Sequence, residues 1–228
     1  MCGGAVPGRR QNRGMPRTWH VALLYAALTV ALAHPLARHA AEHVLSVSPD
    51  TDLFLWTLSW DTYAFTHHPW SIFDANIFYP QPRTLAYSEN LIGSGLFAAP
   101  ILWLTRHPVL AMNLVALPSC VLCGVGGYVL ARRAGVGLLG AALSGLIFAF
   151  TPPRFLRLDQ LFLTTIQWVP FGLAYVQAYL DEGRPFDVRV AIAFFIGPPF
   201  GLWPLVPGYR ASISSARRPA SCCWRCSV

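Results

Sequence analysis

The residues best suited to chemistry in this chain lie in one polar segment, residues 48–87, between strongly apolar stretches. The chain has 10 Asp and Glu residues in all, and within the segment only Arg83 opposes them. Those in or beside the segment are Glu42, Asp50, Asp52, Asp61, Asp74 and Glu89. Carboxylates grouped in one loop act as general bases towards hydroxyl groups or hold a divalent cation.

A helix over residues 50–67 is expected to carry three of these carboxylates. Ser48-Pro49-Asp50 offers a cap at its start, and His68-Pro69 ends it. Its apolar bulk comes from Leu53, Trp56, Leu58, Trp60 and Phe65. Because tryptophan is typical of the membrane interface, we expect this amphipathic helix to lie along a bilayer surface.

The three carboxylates on that helix are not equivalent. Asp50 and Asp61 are eleven residues apart, which places both on one helix face, whereas Asp52 lies away from that face. Asp50 and Asp52 are explained equally well as charges that favour the start of a helix. Capping does not explain Asp61 in the middle of the helix, so Asp61 is the best single candidate for a catalytic residue.

The composition of the whole chain indicates an integral membrane protein. Of its 228 residues, 54% are hydrophobic and only 12% are charged, about half the charged fraction of soluble domains. The net charge is +7, and all 17 basic residues are arginine. A basic soluble protein would suggest nucleic-acid binding, but these arginines lie at the ends of apolar runs and at the termini. We therefore predict an all-α, polytopic bundle whose partner is the lipid bilayer, with no nucleic acid bound.

The distribution of arginines along the chain predicts a membrane topology for this bundle. Residues 1–18 contain four arginines, so we place them in the cytoplasm and read residues 19–36 as a retained first span. Residues 37–90 then form an external loop. Further spans are predicted at residues 109–131, 136–150 and 161–180, and another apolar run begins at residue 190.

The apolar run at residues 91–104 is too short to span. It has about 14 residues, whereas a transmembrane helix needs roughly 17–25. If it crossed the bilayer, Arg132 and Arg133 at the end of the next span would lie outside, against the positive-inside rule. We therefore predict that residues 91–104 are interfacial or re-entrant, and that this Arg pair is cytoplasmic.

On this topology Arg154 and Arg157 lie outside, against the same rule. Guanidinium groups bind phosphate and pyrophosphate bidentately, so the pair predicts a site for a lipid-linked phosphate. Snorkelling to the phosphates of the bilayer explains the pair equally well. In the loop, Arg83 with Tyr79 and Tyr87 either joins a polar head-group site or anchors the loop at the interface.

Two further stretches stand out. Small residues recur within the span at 109–131, at Cys120, Cys123, Gly124 and Gly127, and this spacing favours close helix packing over redox chemistry.

Residues 197–228 differ in composition from the rest of the chain. They contain prolines that would interrupt a helix, followed by Arg, Ser, Cys and Trp without a regular period. Either the native reading frame is lost near Ile196, or these residues form an ordinary disordered tail.

Several blocks of the chain, taken in order, resemble bacterial polytopic membrane proteins related to the GT-C glycosyltransferases. The resemblance runs from about Trp19 to Phe195. The blocks are DTDLFLWTLSWDTYAF, FDANIFYPQPRTLAYSENLIGSGLFAAPILWL, GGYVLARRAGVG, SGLIFAFTPPRFLRL and LTTIQWVPFGLAY.

This resemblance implies a multi-pass enzyme of the bacterial inner membrane that acts on the external face. It would transfer a sugar from a polyprenyl-phosphate donor to an acceptor. An acidic residue of the first external loop, here Asp50, Asp52 or Asp61, would be the catalytic base or a ligand of a divalent cation. Such enzymes also place short interfacial helices after the first span. Arg154, Arg157 and Arg83 are then the candidates for binding the donor phosphate.

The chain departs from that family in two respects. Phe162 stands where a histidine is expected shortly after the external Arg pair, and the enzymes are usually much longer, so the chain corresponds to their N-terminal part. The alternative is a non-catalytic membrane protein, such as a transporter fragment or an assembly factor. Transporters place ionisable residues within their spans, whereas here the predicted spans are nearly free of charge, which favours chemistry at the membrane surface.

Overall fold

The computed structural model describes residues 18–44, 48–87, 89–158, 160–183 and 185–196, and the elements within them are all helical. The predicted all-α class is therefore confirmed. The predicted N-terminal segment before residue 18 and the atypical tail from residue 197 lie outside the described residues. The α-helices are α1 (Thr18–Leu32), α2 (His34–Arg38), α3 (Pro49–His67), α4 (Ile92–Thr105), α5 (Pro108–Arg133), α6 (Leu138–Phe150), α7 (Pro152–Phe155), α8 (Leu161–Thr164), α9 (Trp168–Glu182) and α10 (Pro185–Ile196); a 3₁₀ turn covers Thr84–Tyr87.

Helix α5 is the centre of the fold, because α1, α3, α4, α6, α8 and α9 all pack against it. Its 26 residues give a length of about 39 Å. Within the described part of the chain it is the one helix long and apolar enough to cross a bilayer, while α1, α4 and Leu138–Arg154 are shorter apolar helices. The core helix of a soluble protein can have the same length and composition.

Glycines let α1 and α6 approach α5 closely. A Cβ atom at Gly124 would lie 2.6 Å from the ring of Tyr25 in α1, and one at Gly127 would lie 3.1 Å from the Cα atom of Gly145 in α6. The Tyr25 hydroxyl crosses this junction and donates to the carbonyl oxygen of Ala142 at 2.8 Å. The packing role predicted for Gly124 and Gly127 is therefore confirmed.

The helix predicted over residues 50–67 is confirmed, and it begins one residue earlier than predicted, at Pro49. The Oγ atom of Ser48 accepts a hydrogen bond from the backbone N–H of Thr51 at 3.2 Å, and the helix ends at His67. Of the five apolar side chains expected to give α3 its bulk, only Leu58 is fully buried. The buried side chains of α3 are Thr51, Phe54, Thr57, Leu58, Asp61, Thr62 and Ala64.

Threonines can occupy this buried face because their hydroxyls bond within the helix. The Oγ1 atoms of Thr57 and Thr62 each donate to the carbonyl oxygen four residues earlier, at 2.8 Å. The tryptophans hold the following loop instead: Trp60 donates from Nε1 to the carbonyl oxygen of Ile72 at 2.8 Å, and Trp56 stacks on Trp60. Helix α3 therefore packs on α4 and α5 by one face and carries the loop on another.

Helix α4 is as short as predicted, with 14 residues, or about 21 Å. Arg106 follows it with a φ of 57°, and the chain reverses into α5 within two residues. Ala98 and Leu102 of α4 share a buried cluster with Ala111 and Met112 from the first turns of α5. The two helices therefore form a tight hairpin against which α3 packs.

The continuous span predicted for residues 161–180 is wrong, because the chain is helical only to Thr164 and again from Trp168. The carbonyl oxygen of Thr164 is occupied by the Ser119 hydroxyl and the Arg154 guanidinium. Pro170 also has no N–H with which to bond the carbonyl of Ile166. The predicted first span is likewise shorter than expected, since α1 ends at Leu32 before α2 begins.

Candidate functional site

Asp61 is enclosed in the contact between α3 and α4. Its exposed fraction is 0%, and neither carboxyl oxygen has a hydrogen-bond partner among the described residues. The neighbouring helix is close, since a Cβ atom at Gly95 would lie 3.0 Å from Oδ2 of Asp61. A buried polar group without a partner is rare in folded proteins and calls for an explanation.

Burial raises the pKa of Asp61 to about 8. Desolvation is the cause, because a buried carboxylate loses the water that stabilises its charge. Asp61 is therefore neutral at pH 7 and becomes charged only in alkaline solution. A substrate cannot reach it in this conformation, so the prediction that Asp61 reacts directly with a substrate stays a prediction.

Asp50 is exposed and occupies the first turn of α3. Its Oδ2 atom accepts a hydrogen bond from Nε2 of Gln160 at 3.3 Å, across 110 positions of sequence. Asp52 is exposed two residues later, and within the described ranges no such contact holds its carboxylate. Asp50 and Asp61 lie on one helix face as predicted, but about 16 Å apart along the axis, so they cannot act on the same atom.

The segment around Gln160 carries one of the predicted phosphate-binding arginines. The backbone N–H of Gln160 donates to the carbonyl oxygen of Arg157 at 3.0 Å, and the side chain of Arg157 is exposed. A second contact ties this segment to α3, because the rings of Phe54 and Phe162 meet edge to face with centroids 5.8 Å apart. The fold therefore brings the acidic start of α3 to the segment that contains Arg157.

Arg154 has a different environment from Arg157. It is 8% exposed, and it donates from Nη1 to the carbonyl oxygen of Ala149 at 2.8 Å and from Nη2 to that of Thr164 at 2.6 Å. Its guanidinium group also lies beside the thiols of Cys120 and Cys123, both buried and free. Arg154 thus joins the end of α6 to the break between α8 and α9.

The third predicted arginine, Arg83, lies in the loop after α3. Its side chain is exposed, its φ is 56°, and its backbone N–H donates to Oδ1 of Asp74 at 2.9 Å. Tyr79 and Tyr87 are also exposed. In the described part of the chain, no contact links the Arg83 side chain to Asp50 or to Arg157, so the structure does not assemble all three arginines around one carboxylate.

A buried polar network near α8 was missed from the sequence. Ser94 of α4 lies 3.3 Å from Thr165, oxygen to oxygen. The Gln167 amide, with its nitrogen turned towards α5, donates to the Ser119 hydroxyl at 3.0 Å. The sequence feature that could have predicted this network is a set of single polar residues within apolar runs, because such residues must find hydrogen-bond partners when they are buried. The network holds the break before α9 against α4 and α5.

Comparison with family models, with curated proteins and with solved structures found no match to this chain. The resemblance to the GT-C glycosyltransferases therefore rests on the sequence blocks alone, and a relationship to that family is a proposal.

We expect Gly95→Ala to destabilise the protein, because overpacking of a core costs about 1–3 kcal/mol and the gain in helix propensity from Gly to Ala is only about 1 kcal/mol. The added methyl group would meet Oδ2 and Cβ of Asp61 at 3.0 and 3.1 Å. Gly137→Ala is the matched control, because a Cβ atom there meets nothing within 4 Å. Thermal unfolding of both variants in detergent is the measurement. Equal unfolding temperatures would mean that α3 and α4 do not pack as described.

Proposed function

We propose that this chain is the part of a membrane-bound sugar transferase that presents a reacting carboxylate beside a phosphate-binding arginine. The donor is a sugar linked to a polyprenyl phosphate, and the acceptor carries a hydroxyl group. The contact between Asp50 and Gln160 carries this proposal, because it joins the acidic turn of α3 to the segment of Arg157. Both charged side chains are exposed, so a substrate can approach them.

The chemistry needs one base and one stabilised leaving group. The Asp50 carboxylate takes the proton of the acceptor hydroxyl while that oxygen forms a bond to the anomeric carbon of the sugar. The bond from that carbon to the phosphate oxygen breaks, and its electron pair leaves with the polyprenyl phosphate. Arg157 binds the phosphate oxygens by charge-assisted hydrogen bonds, which offset the negative charge gained.

The other candidate residues take supporting places in this proposal. Arg154 donates to the carbonyl oxygen of Thr164, and the Thr164 hydroxyl donates to the carbonyl oxygen of Gln160 at 3.2 Å. Asp50 is an exposed carboxylate in the first turn of α3, and such an oxygen ligand suits a divalent cation such as Mg²⁺. That cation would supply further charge stabilisation at the phosphate. Arg83 would contact the donor only from the loop side.

The bilayer placement is part of the same proposal. We place α5 across the membrane as one span of a polytopic bundle, with residues 1–18 in the cytoplasm of a bacterium and α3 and α4 on the external surface of its inner membrane. Exposed aromatic side chains on the loop after α3 suit the interfacial region. These are Trp70 (99% exposed), Phe78 (70%) and Tyr79 (96%).

We expect a reporter fused after Arg133 to lie in the cytoplasm, because α4 is too short to cross and α5 therefore runs inward. A cytoplasmic fluorescent protein and a phosphatase that folds only outside provide complementary readouts. The matched control is a fusion after His67, at the end of α3, which should give the external signal. An external signal after Arg133 would mean that α4 is a full span and that α5 runs outward, while a cytoplasmic signal after His67 would mean that the carboxylates of α3 face the cytoplasm.

The transfer activity is tested with the purified chain reconstituted into vesicles. Donors are polyprenyl phosphates that carry radiolabelled hexoses or pentoses, and the measured quantity is the polyprenyl phosphate released. The proposal predicts release that depends on the protein and on an added hydroxyl acceptor. Release no faster than in protein-free vesicles with every donor would contradict it.

One observation favours a second function, that of a non-catalytic membrane protein such as a transporter fragment. Proton-coupled transporters use buried carboxylates that change protonation near neutral pH, and Asp61 is buried with a pKa of about 8. In that case Asp61→Asn abolishes proton-coupled uptake into vesicles, and no variant affects sugar transfer because there is none. The vesicle assay with and without a pH gradient separates the two functions.

A further inference from the structure

We propose that His39, Glu42 and His43 form a binding site for a divalent transition-metal ion, zinc above all, separate from the carboxylates of α3. The three side chains follow α2 and each offers one ligand atom. The sequence signal is His-Ala-Ala-Glu-His over residues 39–43, which places both imidazoles one helical turn apart. The site is independent of the proposed transfer activity.

The ligand atoms are already close together. They all lie within 4.8 Å of one another, and Nδ1 of His39 is 3.8 Å from Oε2 of Glu42. Around a tetrahedral zinc with bonds of about 2.0–2.1 Å, neighbouring ligand atoms are roughly 3.4 Å apart. All three side chains are exposed, so small rotations about their side-chain bonds bring the ligands to that spacing without moving the backbone.

The backbone beneath these ligands is fixed from two directions. The N–H groups of Glu42 and His43 both donate to the carbonyl oxygen of His39, at 3.0 and 2.9 Å, which closes one helical turn. From α5, the buried Asn113 donates through Nδ2 to the carbonyl oxygens of Ala40 and His43, both at 2.8 Å. A turn that is held before the metal arrives loses less conformational freedom on binding.

The ligand types select the class of metal. Two imidazoles and one carboxylate are typical of zinc sites with three protein ligands, in which water or a substrate takes the fourth position. A hard cation such as Mg²⁺ prefers oxygen ligands and would not compete well here. Arg38 is exposed on the last turn of α2 beside the site, and its positive charge limits the affinity.

The test is a titration of the purified full chain in detergent with Co²⁺, followed by displacement with Zn²⁺. We expect one Co²⁺ per chain, with d–d absorption in the visible and no sulfur-to-metal charge-transfer band in the near ultraviolet. His39→Ala and His43→Ala should each weaken binding at least tenfold, and Glu42→Gln by a smaller factor. His67→Ala is the matched control, because His67 is an exposed histidine on a different helix, and it should leave binding unchanged.

Two results would overturn the site. One is unchanged Co²⁺ affinity in the double variant His39→Ala/His43→Ala. The other is a spectrum dominated by sulfur-to-metal charge transfer, which would assign the metal to cysteines. Since all three ligands are exposed, these substitutions should leave the helix content unchanged, and far-ultraviolet circular dichroism checks this. Failure of the metal site leaves the transfer activity in vesicles unaffected, so the two proposals are tested separately.

Discussion

Asp50→Asn is expected to reduce sugar transfer by about 10²–10⁴-fold, the usual contribution of a general base. The asparagine oxygen can still accept the hydrogen bond from Gln160, so the geometry is retained and only the basicity is lost. The charge of Asp50 in the first turn of α3 contributes about 0.3–1 kcal/mol through the helix dipole. A loss of activity on this scale therefore cannot come from unfolding.

The matched control for this prediction is Asp52→Asn. It removes the same charge from the same turn of α3, but Asp52 has no contact with Gln160 among the described residues. We expect its transfer rate to stay within about threefold of the unsubstituted protein and its stability to fall as much as that of Asp50→Asn. An equal loss of transfer in both variants would show that the transfer rate depends on the total negative charge of this helical turn and not on the Asp50 carboxylate in particular.

Asp61→Asn is expected to stabilise the protein in alkaline solution. The pKa of Asp61 rises from 3.8 to about 8 on folding, so the folded state holds a proton that the unfolded state releases between these values. Stability is therefore complete below pH 4 and falls as the pH rises towards 8. The shift corresponds to on the order of 5 kcal/mol, and leaving an asparagine amide unpaired costs about 1–3 kcal/mol.

The measurement for Asp61 is thermal unfolding in detergent between pH 5 and pH 9. We expect the variant to exceed the unsubstituted protein by about 2–4 kcal/mol at pH 8 and to differ little from it at pH 5. Asp52→Asn is the exposed control on the same helix and should show no comparable pH dependence. A variant that is less stable than the unsubstituted protein at pH 8 would mean that Asp61 is charged and has a partner.

Local signals allowed the helices to be predicted well. Ser48 and Pro49 start α3, and His68 ends it, through interactions with residues only a few positions away. The ends of this helix can therefore be predicted from the local sequence. The interruption at residues 165–167 depends instead on Arg154 and Ser119, which reach the Thr164 carbonyl from other helices. Those contacts exist only after the helices pack, and periodicity along one segment cannot show them.

The candidate site was predictable in its residue types but not in its arrangement. Asp50 and Asp61 have the same angular position on α3, yet one is exposed and the other is fully buried. The difference arises because α4 covers the later turns of α3, where Gly95 lies against Asp61. The contact between Asp50 and Gln160 spans 110 positions, and a single sequence carries no signal for it.

The most direct test of the account compares sugar transfer by Asp50→Asn and Asp61→Asn at pH 7 in the same vesicle preparation. Asp61 is neutral at that pH, so asparagine resembles its native state, and we predict a transfer rate near that of the unsubstituted protein. Asp50→Asn should retain less than about one hundredth of that rate. The opposite result, with transfer lost in Asp61→Asn and retained in Asp50→Asn, would contradict the assignment and make the buried carboxyl the reacting base.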